Sequence, residues 1–559
     1  MVGDSVQIIF TATGLSAGAQ TSINVTIVDE YNNPINSNGS SWTIAITANA
    51  SGVANYTYDA PTPRLGYYKV FATLLSDRST LPSVGTRPAG FITYVVVPDP
   101  TTRRDYGDTG SRFGLQGGFS SKAVVIPYLG VRVTFEMATS WSALEQDRPR
   151  EFVNLTLSEQ QSAMSSWVNP TFGPYGNLTW NVYTLACPTQ AALPPWAILA
   201  GTTGSVCTSF GAVNPNGVSE GPAFFSSEAS AFASLVPNQK KHFYQVTWEP
   251  QTTWCFDGTP EQLVQIYELS YPSIKSADPN AVVVGPTLFI DSASTSALSD
   301  LYAAGLGNFS DGLSIHPYTS YPPELATSSY DGFVPTLRAQ VDLASSAIGV
   351  SKAPFVGTEH GFTTLAQGDL QKAQADVRVA VMMVGEGAAF DIGFYITDYW
   401  TNFDLTTNAG YGFYWGLDAS IPGGFGSDKI SPKPSAAAYA AMTYFLDGTN
   451  TNGAVTGLNG TQLGYSFTNI VTGVVTTVLW DWANSATSYT VPSGMTICDF
   501  MGNCGQETSA PTEIALSESV VYLISNPSAS SNNSNSSDAS HSSSSLSLLL
   551  KFLFLLFVE

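Results

Sequence analysis

The chain has 559 residues, of which 43% are hydrophobic and 12% aromatic, so it is long and apolar enough for several domains with large buried cores and is not a disordered protein. Its net charge of -22 excludes nucleic-acid binding, which needs a basic surface, and disfavours strongly anionic polymers, whereas a neutral polysaccharide carries no such penalty. Only 11% of the residues are charged, which leaves Ser, Thr, Asn and Gly to form much of the surface.

The first 98 residues alternate between apolar and polar positions in short runs, such as "TSINVTIVD" and "GYYKVFATLL", separated by Gly, Asn and Pro. This period of two, with many β-branched and aromatic residues, is typical of strands that are buried on one face. We therefore predict an immunoglobulin-like β-sandwich over residues 1–98. Residues 99–111, within "VPDPTTRRDYGDTG", are predicted to be a linker.

From residue 112 the pattern changes to strands that alternate with helices. Eight strand segments are expected, in chain order within "RFGLQGGF", "VRVTFEM", "LTWNVYTLA", "KHFYQVTWEP", "AVVVGPTLF", "GLSIHPYT", "APFVGTEHGF" and "AFDIGFYITDYW". Helices are predicted between most of these segments. The helix that starts at Pro260 has Thr259 as its N-cap and Glu261 in its first turn.

Eight strand–helix units predict an α/β fold, a (β/α)8 TIM barrel, over residues 112–448. This region exceeds the ~250 residues of a typical barrel because of loop insertions at 140–175 and 200–220. An open doubly wound sheet is the alternative, but that fold usually carries a glycine-rich phosphate-binding loop, and the sequence has no such pattern. Residues 449–526 return to short strands and are predicted to form a second β-sandwich.

Residues 527–559 are predicted to be a disordered tail that ends in a glycosylphosphatidylinositol (GPI) anchor signal. Small polar residues near Ser537 to Ala539 precede a serine-rich spacer and the apolar end "LSLLLKFLFLLFVE", which is the order found in such signals. A disordered tail with a hydrophobic end is the alternative, and Lys551 within the apolar run favours it. We predict an extracellular protein that is anchored at the cell surface.

Sequons and cysteines agree with a secreted glycoprotein. The predicted glycosylation sites are Asn24, Asn38, Asn49, Asn55, Asn154, Asn177, Asn308 and Asn459, and two further sequons in the tail begin at Asn532 and Asn535. Of the five cysteines, Cys498 and Cys504 in "CDFMGNC" enclose a Gly-Asn turn and are the predicted disulfide. Cys187, Cys207 and Cys255 either allow one more pair, which the spacing leaves open, or are buried thiols.

The chemistry of the chain is limited by its four histidines, one of which, His541, lies in the tail. No His-Glu-x-x-His or Cys-x-x-Cys pattern indicates a zinc site. No Gly-x-Ser-x-Gly occurs on a predicted strand–helix turn, where the nucleophile of a Ser-His-Asp triad would stand. We therefore expect neither a metal nor a cofactor. Paired carboxylates remain as the candidate catalytic groups.

Two glutamates stand at the ends of predicted barrel strands, where polar residues face the active-site mouth. Glu249 ends the fourth strand and Glu359 the seventh, so the two should approach each other across the mouth. Two carboxyl groups ~5–5.5 Å apart suit retaining glycoside hydrolysis, in which one is the nucleophile and the other is first an acid and then a base. The apolar neighbours Trp248, Pro250 and Trp254 would raise the pKa of Glu249, as the acid requires.

The segments "TWEPQ" at 247–251 and "FVGTEHGF" at 355–362 resemble the acid/base and nucleophile strands of clan A glycoside hydrolases, and the likeness to family 39-type retaining β-glycosidases extends over the barrel. The resemblance implies that Glu249 is the acid/base and Glu359 the nucleophile. Arg132, in "GVR" on the second strand, resembles an arginine that keeps the nucleophile ionised. His316 and Tyr318 resemble residues of the sixth strand that line the site.

One position departs from the pattern of the clan, most members of which have Asn before the acid/base, where this chain has Trp248. The indole N–H of Trp248 can still donate to a sugar hydroxyl, but the geometry must differ. Other aromatic residues are candidates for sugar stacking, since a flat ring suits the C–H face of a pyranose, with plain packing as the alternative for each. They are Trp141, Trp196, Trp254, Tyr399 and Trp400.

These features predict a cell-surface retaining glycoside hydrolase that cleaves β-glycosidic bonds of a wall or matrix polysaccharide by double displacement. We expect a monomer that binds a polysaccharide or oligosaccharide and contacts a membrane only through the lipid anchor. A non-catalytic carbohydrate-binding or adhesion protein on the same scaffold is the first alternative, and Trp248 favours it. A wall-remodelling transglycosylase, which uses the same two glutamates but excludes water, is the second.

Overall fold

A computed structural model gives the fold of the protein. The described parts of the chain contain two β-rich regions and the eight strands of a central barrel. They comprise residue 2 and residues 6–35, 41–117, 125–136, 139–165, 171–175, 178–188, 193–202, 211–250, 256, 258–289, 292–325, 334–347, 354–398, 410–417, 429–485 and 487–525.

Residues 6–96 form two antiparallel sheets that pack against each other. Their strands are β1 (Val6–Ala12), β2 (Gln20–Val28), β3 (Trp42–Thr47), β4 (Ala54–Ala60), β5 (Gly66–Leu74) and β6 (Phe91–Val96). One sheet pairs β1 with β4, and the other has the order β3–β2–β5–β6. Alternate residues of β2, namely Ile23, Val25 and Ile27, are buried in the shared core, as the period of two requires. The predicted N-terminal β-sandwich is confirmed.

Eight parallel strands close into a barrel, as predicted. In chain order they are β7 (Phe113–Leu115), β8 (Val133–Glu136), β11 (Tyr183–Ala186), β12 (His242–Gln245), β13 (Ala281–Phe289), β14 (Gly312–His316), β15 (Phe355–Gly357) and β16 (Asp391–Gly393). Pairing of β16 with β7 completes the closed order. Between β8 and β11 the chain forms a separate antiparallel pair, β9 (Thr171–Tyr175) and β10 (Leu178–Asn181). The sequence pattern had joined β10 to β11, because both show the same alternation.

Helices accompany the barrel strands. They are α1 (Ile126–Leu129), α2 (Trp141–Leu144), α3 (Leu157–Ser165), α4 (Pro215–Leu235), α5 (Pro260–Ala277), α6 (Ser292–Ala303), α7 (Val334–Ala347), α8 (Thr364–Gln367), α9 (Asp369–Gly385) and α10 (Pro434–Leu446), with 3-10 helices at Pro100–Thr102, Pro195–Ala197 and Leu306–Asn308.

The start of α5 is as predicted. Thr259 accepts a hydrogen bond from the backbone N–H of Gln262, and the side chain of Gln262 returns one to the backbone of Thr259. The sequence pattern does not predict α6, because its many Ser and Thr residues show little apolar periodicity. Within the described part of the chain, no helix combines the length and the apolar character that crossing a membrane requires.

A second β-rich region follows the barrel. After the small pair of β17 (Tyr414–Gly416) and β18 (Ile430–Pro432) come β19 (Thr449–Ala454), β20 (Gln462–Asn469), β21 (Val475–Asp481), β22 (Ser488–Val491), β23 (Met495–Cys498), β24 (Cys504–Glu507), β25 (Thr512–Ala515) and β26 (Val521–Ser525). One sheet has the order β19–β20–β21–β26–β23–β24, and β22 pairs with β25. Leu479, Val491 and Leu516 share a core, which confirms the second β-sandwich. The predicted disulfide between Cys498 and Cys504 is present.

The other face of the six-stranded sheet packs on the barrel. Trp480 and Tyr522 of the sheet belong to the same buried cluster as Met442 of α10. This cover explains why α9 is buried at every residue from Lys372 to Gly385. Trp480 also donates its indole N–H to Glu324, at 2.7 Å, in the loop that follows β14. The C-terminal sheet therefore stabilises a loop that leaves the sixth barrel strand.

Most predicted glycosylation sites within the described residues are on the surface. Asn49, Asn55, Asn154, Asn308 and Asn459 are exposed, Asn24 is half-buried, and Asn38 and Asn177 lie outside the described residues. Cys187 is buried directly after β11, whereas Cys207 and Cys255 lie outside the described residues, as does the whole tail from residue 526. The pairing of these three cysteines and the anchor signal stay predictions.

Candidate active site

Glu249 and Glu359 lie at the mouth formed by the C-terminal ends of the barrel strands. The pattern predicts that they end their strands, but β12 ends at Gln245 and β15 at Gly357, so both glutamates are in the loops that follow. The backbone of Glu249 has a φ of 36°, a left-handed conformation that is uncommon outside glycine. Such strain persists only where surrounding contacts maintain it, and it is concentrated at functional sites.

The structure brings the two carboxyl groups together and shields them from water. A carboxylate oxygen of Glu249, a carboxylate oxygen of Glu359 and a ring nitrogen of His316 all lie within 4.8 Å of one another. Glu249 is only 4% exposed and Glu359 only 6% exposed. The electrostatic interactions within this group are therefore stronger than they would be in water.

Glu359 accepts a hydrogen bond on each of its carboxylate oxygens. Tyr318, two residues after β14, donates its hydroxyl to Oε1, and Gln116, directly after β7, donates Nε2 to Oε2 at 2.9 Å. The same amide nitrogen donates to the backbone carbonyl of Thr358 at 2.9 Å. Donors on both oxygens hold the carboxylate in one orientation and stabilise its ionised form.

Glu249 is hydrogen-bonded to His316, the last residue of β14. His316 Nδ1 lies 2.5 Å from Glu249 Oε1, and its Nε2 lies 3.0 Å from Thr358 Oγ1. Complete burial lowers the pKa of His316 to about 4, although the nearby Glu359 carboxylate acts in the opposite direction. Burial therefore favours the neutral ring, whereas the neighbouring carboxyl groups of Glu249 and Glu359 favour the charged ring.

A buried polar network continues from His316 into the barrel. Thr358 Oγ1 lies 2.6 Å from Ser314 Oγ, and Ser314 donates to Gln245 Oε1 at 2.9 Å. The ring of Trp248 packs edge-on against that of His316, with 4.5 Å between the ring centroids. The orientation of the imidazole is therefore determined by side chains of several barrel strands and not by solvent.

The pKa of Glu359 is raised from its ordinary value of 4.5 to about 7. Burial is the main cause, and the carboxylate of Glu249 adds to it, whereas His316, Tyr318 and Gln116 act in the opposite direction. Two buried carboxyl groups this close do not both ionise readily. The pair therefore retains a proton at a pH at which two isolated carboxyl groups would have none.

Arg132 is not part of this cluster. It lies directly before β8, at the N-terminal end of that strand and thus at the opposite end of the barrel from the two glutamates. Its guanidinium stacks over the ring of Trp180 at 3.6 Å and pairs with Asp105 at 3.6 Å. The structure therefore contradicts the predicted role of Arg132 beside Glu359, where the neutral amide of Gln116 is found instead.

The aromatic residues predicted to bind the sugar fall into three groups. Trp141 is 0% exposed and its ring stacks on Phe224 at 5.2 Å, so it is a core residue, which contradicts a role in sugar stacking. Trp196 is half-buried, and its ring packs against that of Trp141 with 5.5 Å between the ring centroids. Trp248 contacts His316 and so forms part of the wall of the site. Trp254, Tyr399 and Trp400 lie outside the described residues.

Three residues of the site are missing from the predicted set, namely Gln116, Thr358 and Tyr411. Gln116 directly follows a predicted barrel strand, and a polar side chain in that position is the same signal that identifies the glutamates. Thr358 is likewise a polar residue that directly follows a barrel strand. The ring of Tyr411 contacts that of Tyr318, with 6.2 Å between centroids, but it lies in an irregular loop where no sequence period marks it.

Glu249, His316 and Glu359 also have donor atoms close enough to one another to share a metal ion. However, His316 Nδ1 is at hydrogen-bond distance from Glu249 and Nε2 from Thr358, so both ring nitrogens already have partners. A shared proton fits the 2.5 Å contact between His316 and Glu249 better than a cation does. The arrangement suits acid–base and nucleophilic chemistry by two carboxyl groups.

No model of a known protein family matches the sequence, and no curated protein sequence matches it. Among solved structures, the chain is similar to a family 39 glycoside hydrolase from the gut symbiont Bacteroides cellulosilyticus WH2, with 14% identity over 93% of this chain and 98% of that one and a TM-score of 0.58. It is less similar to an endo-β1,6-glucanase, with 12% identity over 91% of this chain and 99% of that one and a TM-score of 0.48. It is also less similar to a family 39 β-xylosidase from Caulobacter crescentus, with 13% identity over 76% of this chain and 98% of that one and a TM-score of 0.45. The first likeness confirms the resemblance to clan A enzymes at the level of the fold.

Proposed function

We propose that the protein is a retaining β-glycoside hydrolase in which Glu359 is the nucleophile and Glu249 the acid/base. One observation carries the proposal: two buried carboxyl groups, with oxygen atoms within 4.8 Å of each other, lie at the C-terminal mouth of a closed barrel. The likeness in fold to a family 39 glycoside hydrolase supports it.

The spacing of the two carboxyl groups favours double displacement over inversion. Inverting enzymes place a water molecule between sugar and base, which separates their carboxyl groups by ~6.5–9.5 Å, whereas retaining enzymes need only ~5–5.5 Å. Glu249 and Glu359, with oxygens within 4.8 Å of each other, fit the shorter distance. A scaffold that only binds carbohydrate has no need of two desolvated carboxyl groups, whose proximity costs folding free energy.

In the first step Glu359 attacks the anomeric carbon. A bond forms between its carboxylate oxygen and that carbon, while the glycosidic carbon–oxygen bond breaks. Glu249 gives its proton to the departing oxygen, so the leaving group departs as an alcohol. The hydrogen bonds from Tyr318 and Gln116 keep Glu359 in the orientation for attack.

In the second step a water molecule attacks the same carbon and displaces Glu359, whose carboxylate is restored. Glu249 takes the proton of that water and returns to its starting state. His316 keeps Glu249 in position in both steps. Burial favours the neutral imidazole, and this limits the positive charge that would otherwise hold Glu249 in its ionised form.

We propose a neutral wall or matrix polysaccharide as the substrate and the cell surface as the location. The net charge of -22 opposes binding of anionic polymers, because like charges repel. The exposed sequons support an extracellular glycoprotein, and the order of polar spacer and apolar end in the tail supports a lipid anchor at the cell surface.

Digestion of a polysaccharide panel tests this function. Wild type and Glu359→Gln are incubated with β-1,3-, β-1,4- and β-1,6-linked glucans, xylan and mannan, and released reducing ends are measured. The wild type should cleave at least one polymer, the variant none, and proton NMR should show the β-anomer as the first product.

Different outcomes of the panel contradict different parts of the proposal. Initial release of the α-anomer rules out retention, and equal activity of the variant rules out Glu359 as the nucleophile. Glycosyl transfer to added oligosaccharides with little hydrolysis identifies a transglycosylase instead. No cleavage and no transfer across the panel contradicts the enzyme function altogether.

Tyr318→Phe should shift the acidic limb of the pH–rate profile to higher pH. The hydroxyl of Tyr318 lowers the pKa of Glu359, so its removal should raise that pKa beyond about 7. Because Glu359 attacks only when ionised, kcat/KM should then begin to fall at a higher pH as the solution is acidified. The plateau should drop roughly 10- to 100-fold, as for loss of a hydrogen bond to a charged group. Initial rates between about pH 4 and pH 9 measure both effects.

Tyr183→Phe is the matched control for this variant. Tyr183 donates its hydroxyl to Asp105 at 2.8 Å, which is also a bond from tyrosine to a carboxylate but lies at the far end of the barrel. Its loss should leave the acidic limb in place. If the limb of Tyr318→Phe coincides with that of the wild type, ionisation of Glu359 does not control the rate.

A further inference from the structure

The loop that follows β14, residues 317–325, joins the mouth of the barrel to the C-terminal sandwich (β19–β26). Near the start of this loop, Tyr318 donates its hydroxyl to Glu359. Three residues later, Tyr321 donates its hydroxyl to Oε1 of Glu518, at 2.6 Å, in the segment between β25 and β26. One short stretch of chain therefore contacts the proposed nucleophile on one side and the C-terminal sandwich on the other.

A second anchor lies three residues further along the loop. Oε1 of Glu324 accepts a hydrogen bond from the indole N–H of Trp480, on β21, at 2.7 Å. The same oxygen lies 3.0 Å from Nε of Arg378, on α9. Trp480 and Arg378 are completely buried, so water screens these interactions little. Hydrogen bonds that involve charged groups are the stronger kind, and they fix this end of the loop.

Arg378 connects the two anchors. Its guanidinium lies over the ring of Tyr321, 5.5 Å from the ring centroid, and its NH1 donates to the backbone carbonyl of Glu518 at 2.9 Å. Two consecutive prolines stand between the anchors, and each proline ring holds its backbone φ at about −65°. The segment from Tyr321 to Glu324 is therefore stiff and is held at both of its ends.

We propose that Tyr321 and Glu324, with their partners in the C-terminal sandwich, are positioning residues that hold the loop so that Tyr318 meets Glu359. Tyr318 and Glu359 follow different strands, and a site of this kind requires its groups to be held within ~0.5 Å of the productive geometry. Two anchors just beyond Tyr318 supply that support. The inference rests on the proposed function and goes beyond it, because it gives the C-terminal sandwich a part in the reaction.

A positioning role differs from a purely structural one in a measurable way. Contacts that only stabilise the fold change the unfolding free energy and leave the folded site as it was. Loss of contacts that position Tyr318 should also raise the pKa of Glu359, because the hydroxyl of Tyr318 lowers it. Other groups that interact with Glu359 lie outside the loop, namely Glu249, His316, Gln116 and Tyr411.

Tyr321→Phe and Glu518→Ala remove the same hydrogen bond from its two ends. Each should raise the pKa of Glu359 and move the acidic limb of the pH–rate profile in the same direction as Tyr318→Phe does. Each should also lower kcat roughly 2- to 10-fold, as for loss of one hydrogen bond, with little change in KM. In the Tyr318→Phe background, Tyr321→Phe should move the limb no further.

Carbon-13 NMR of protein labelled at the glutamate carboxyl carbons measures the pKa of Glu359 directly. Its resonance is identified by its absence from the spectrum of Glu359→Gln. Urea unfolding shows that each variant is folded, and if Tyr321→Phe does not fold, Glu518→Ala decides.

Tyr465→Phe is the matched control. Tyr465, on β20, donates its hydroxyl to Oε1 of Glu386 at 2.7 Å, which also joins the C-terminal sandwich to a carboxylate of the barrel region, but at the end of α9 and not in the loop. Its loss should lower the unfolding free energy without raising the pKa of Glu359.

Three results overturn the positioning role. They are an unchanged pKa of Glu359 in both Tyr321→Phe and Glu518→Ala, an equal rise in Tyr465→Phe, and a full effect of Tyr321→Phe in the Tyr318→Phe background. The NMR titration needs no turnover, so this proposal and the proposed function fail separately. Cleavage by the wild type with an unchanged pKa in both variants refutes only the positioning role, whereas a raised pKa without cleavage of any polymer refutes only the enzyme function.

Discussion

The Glu359→Gln variant should lose at least ~10³-fold of wild-type turnover and yet be more stable than the wild type above pH 7. Activity is lost because an amide does not form the covalent bond to the sugar. Stability is gained because Glu359 is only 6% exposed and its pKa is raised from 4.5 to about 7, so the folded state opposes its ionisation.

The direction of the pH dependence follows from proton linkage. The protonated carboxyl favours the folded state, so its contribution is complete below pH 4.5 and is lost as the pH rises through about 7. At about 1.4 kcal/mol per pKa unit, the wild type loses about 3 kcal/mol of unfolding free energy over this range. The glutamine variant has no proton to lose at this position. The difference in unfolding free energy between this variant and the wild type should therefore grow as the pH rises and then become constant.

Urea unfolding of both proteins at a series of pH values measures this difference. Glu268→Gln is the matched control, because Glu268 is exposed on α5 and its replacement removes the same charge without desolvation. Its stability relative to the wild type should change little with pH. A constant difference between Glu359→Gln and the wild type would falsify the claim that the folded site resists ionisation of Glu359.

Glu249→Gln should slow cleavage of the natural substrate by ~10²–10⁴-fold, the usual contribution of a general acid–base. An aryl glycoside with dinitrophenolate as leaving group needs no proton donor, so its first step should survive. The covalent intermediate should then accumulate, because no base activates the water. Azide needs no base, and it should restore turnover and yield a β-glycosyl azide.

A pre-steady-state burst of dinitrophenolate and NMR of the azide product measure these effects. Glu359→Gln is the counterpart in the same assay and should give neither a burst nor a β-glycosyl azide. The reversed result, with rescue of Glu359→Gln only, would exchange the two roles. The comparison is informative because a raised pKa, which Glu359 has, is often the mark of the acid.

Local patterns predicted most of the architecture, since periods of two and of 3.6 residues are properties of short segments. The eight strands and the N-cap Thr259 were identified in this way. The same reasoning failed for α6, which has little apolar periodicity, and for β10, whose alternation continues that of β11. The family resemblance failed for Arg132, because a short matching segment does not show at which end of the strand the residue stands.

The sequence by itself determined the order of the elements and the two glutamates that follow the fourth and seventh barrel strands. Only the tertiary structure decided which side chains meet them. His316 reaches Glu249 from 67 positions away, and Gln116 reaches Glu359 from 243 positions away. Burial and the approach of the two carboxyl groups, which raise the pKa of Glu359, exist only once the barrel is closed. Desolvation and charge interactions depend on distances in space, and these are not encoded in any single segment of the chain.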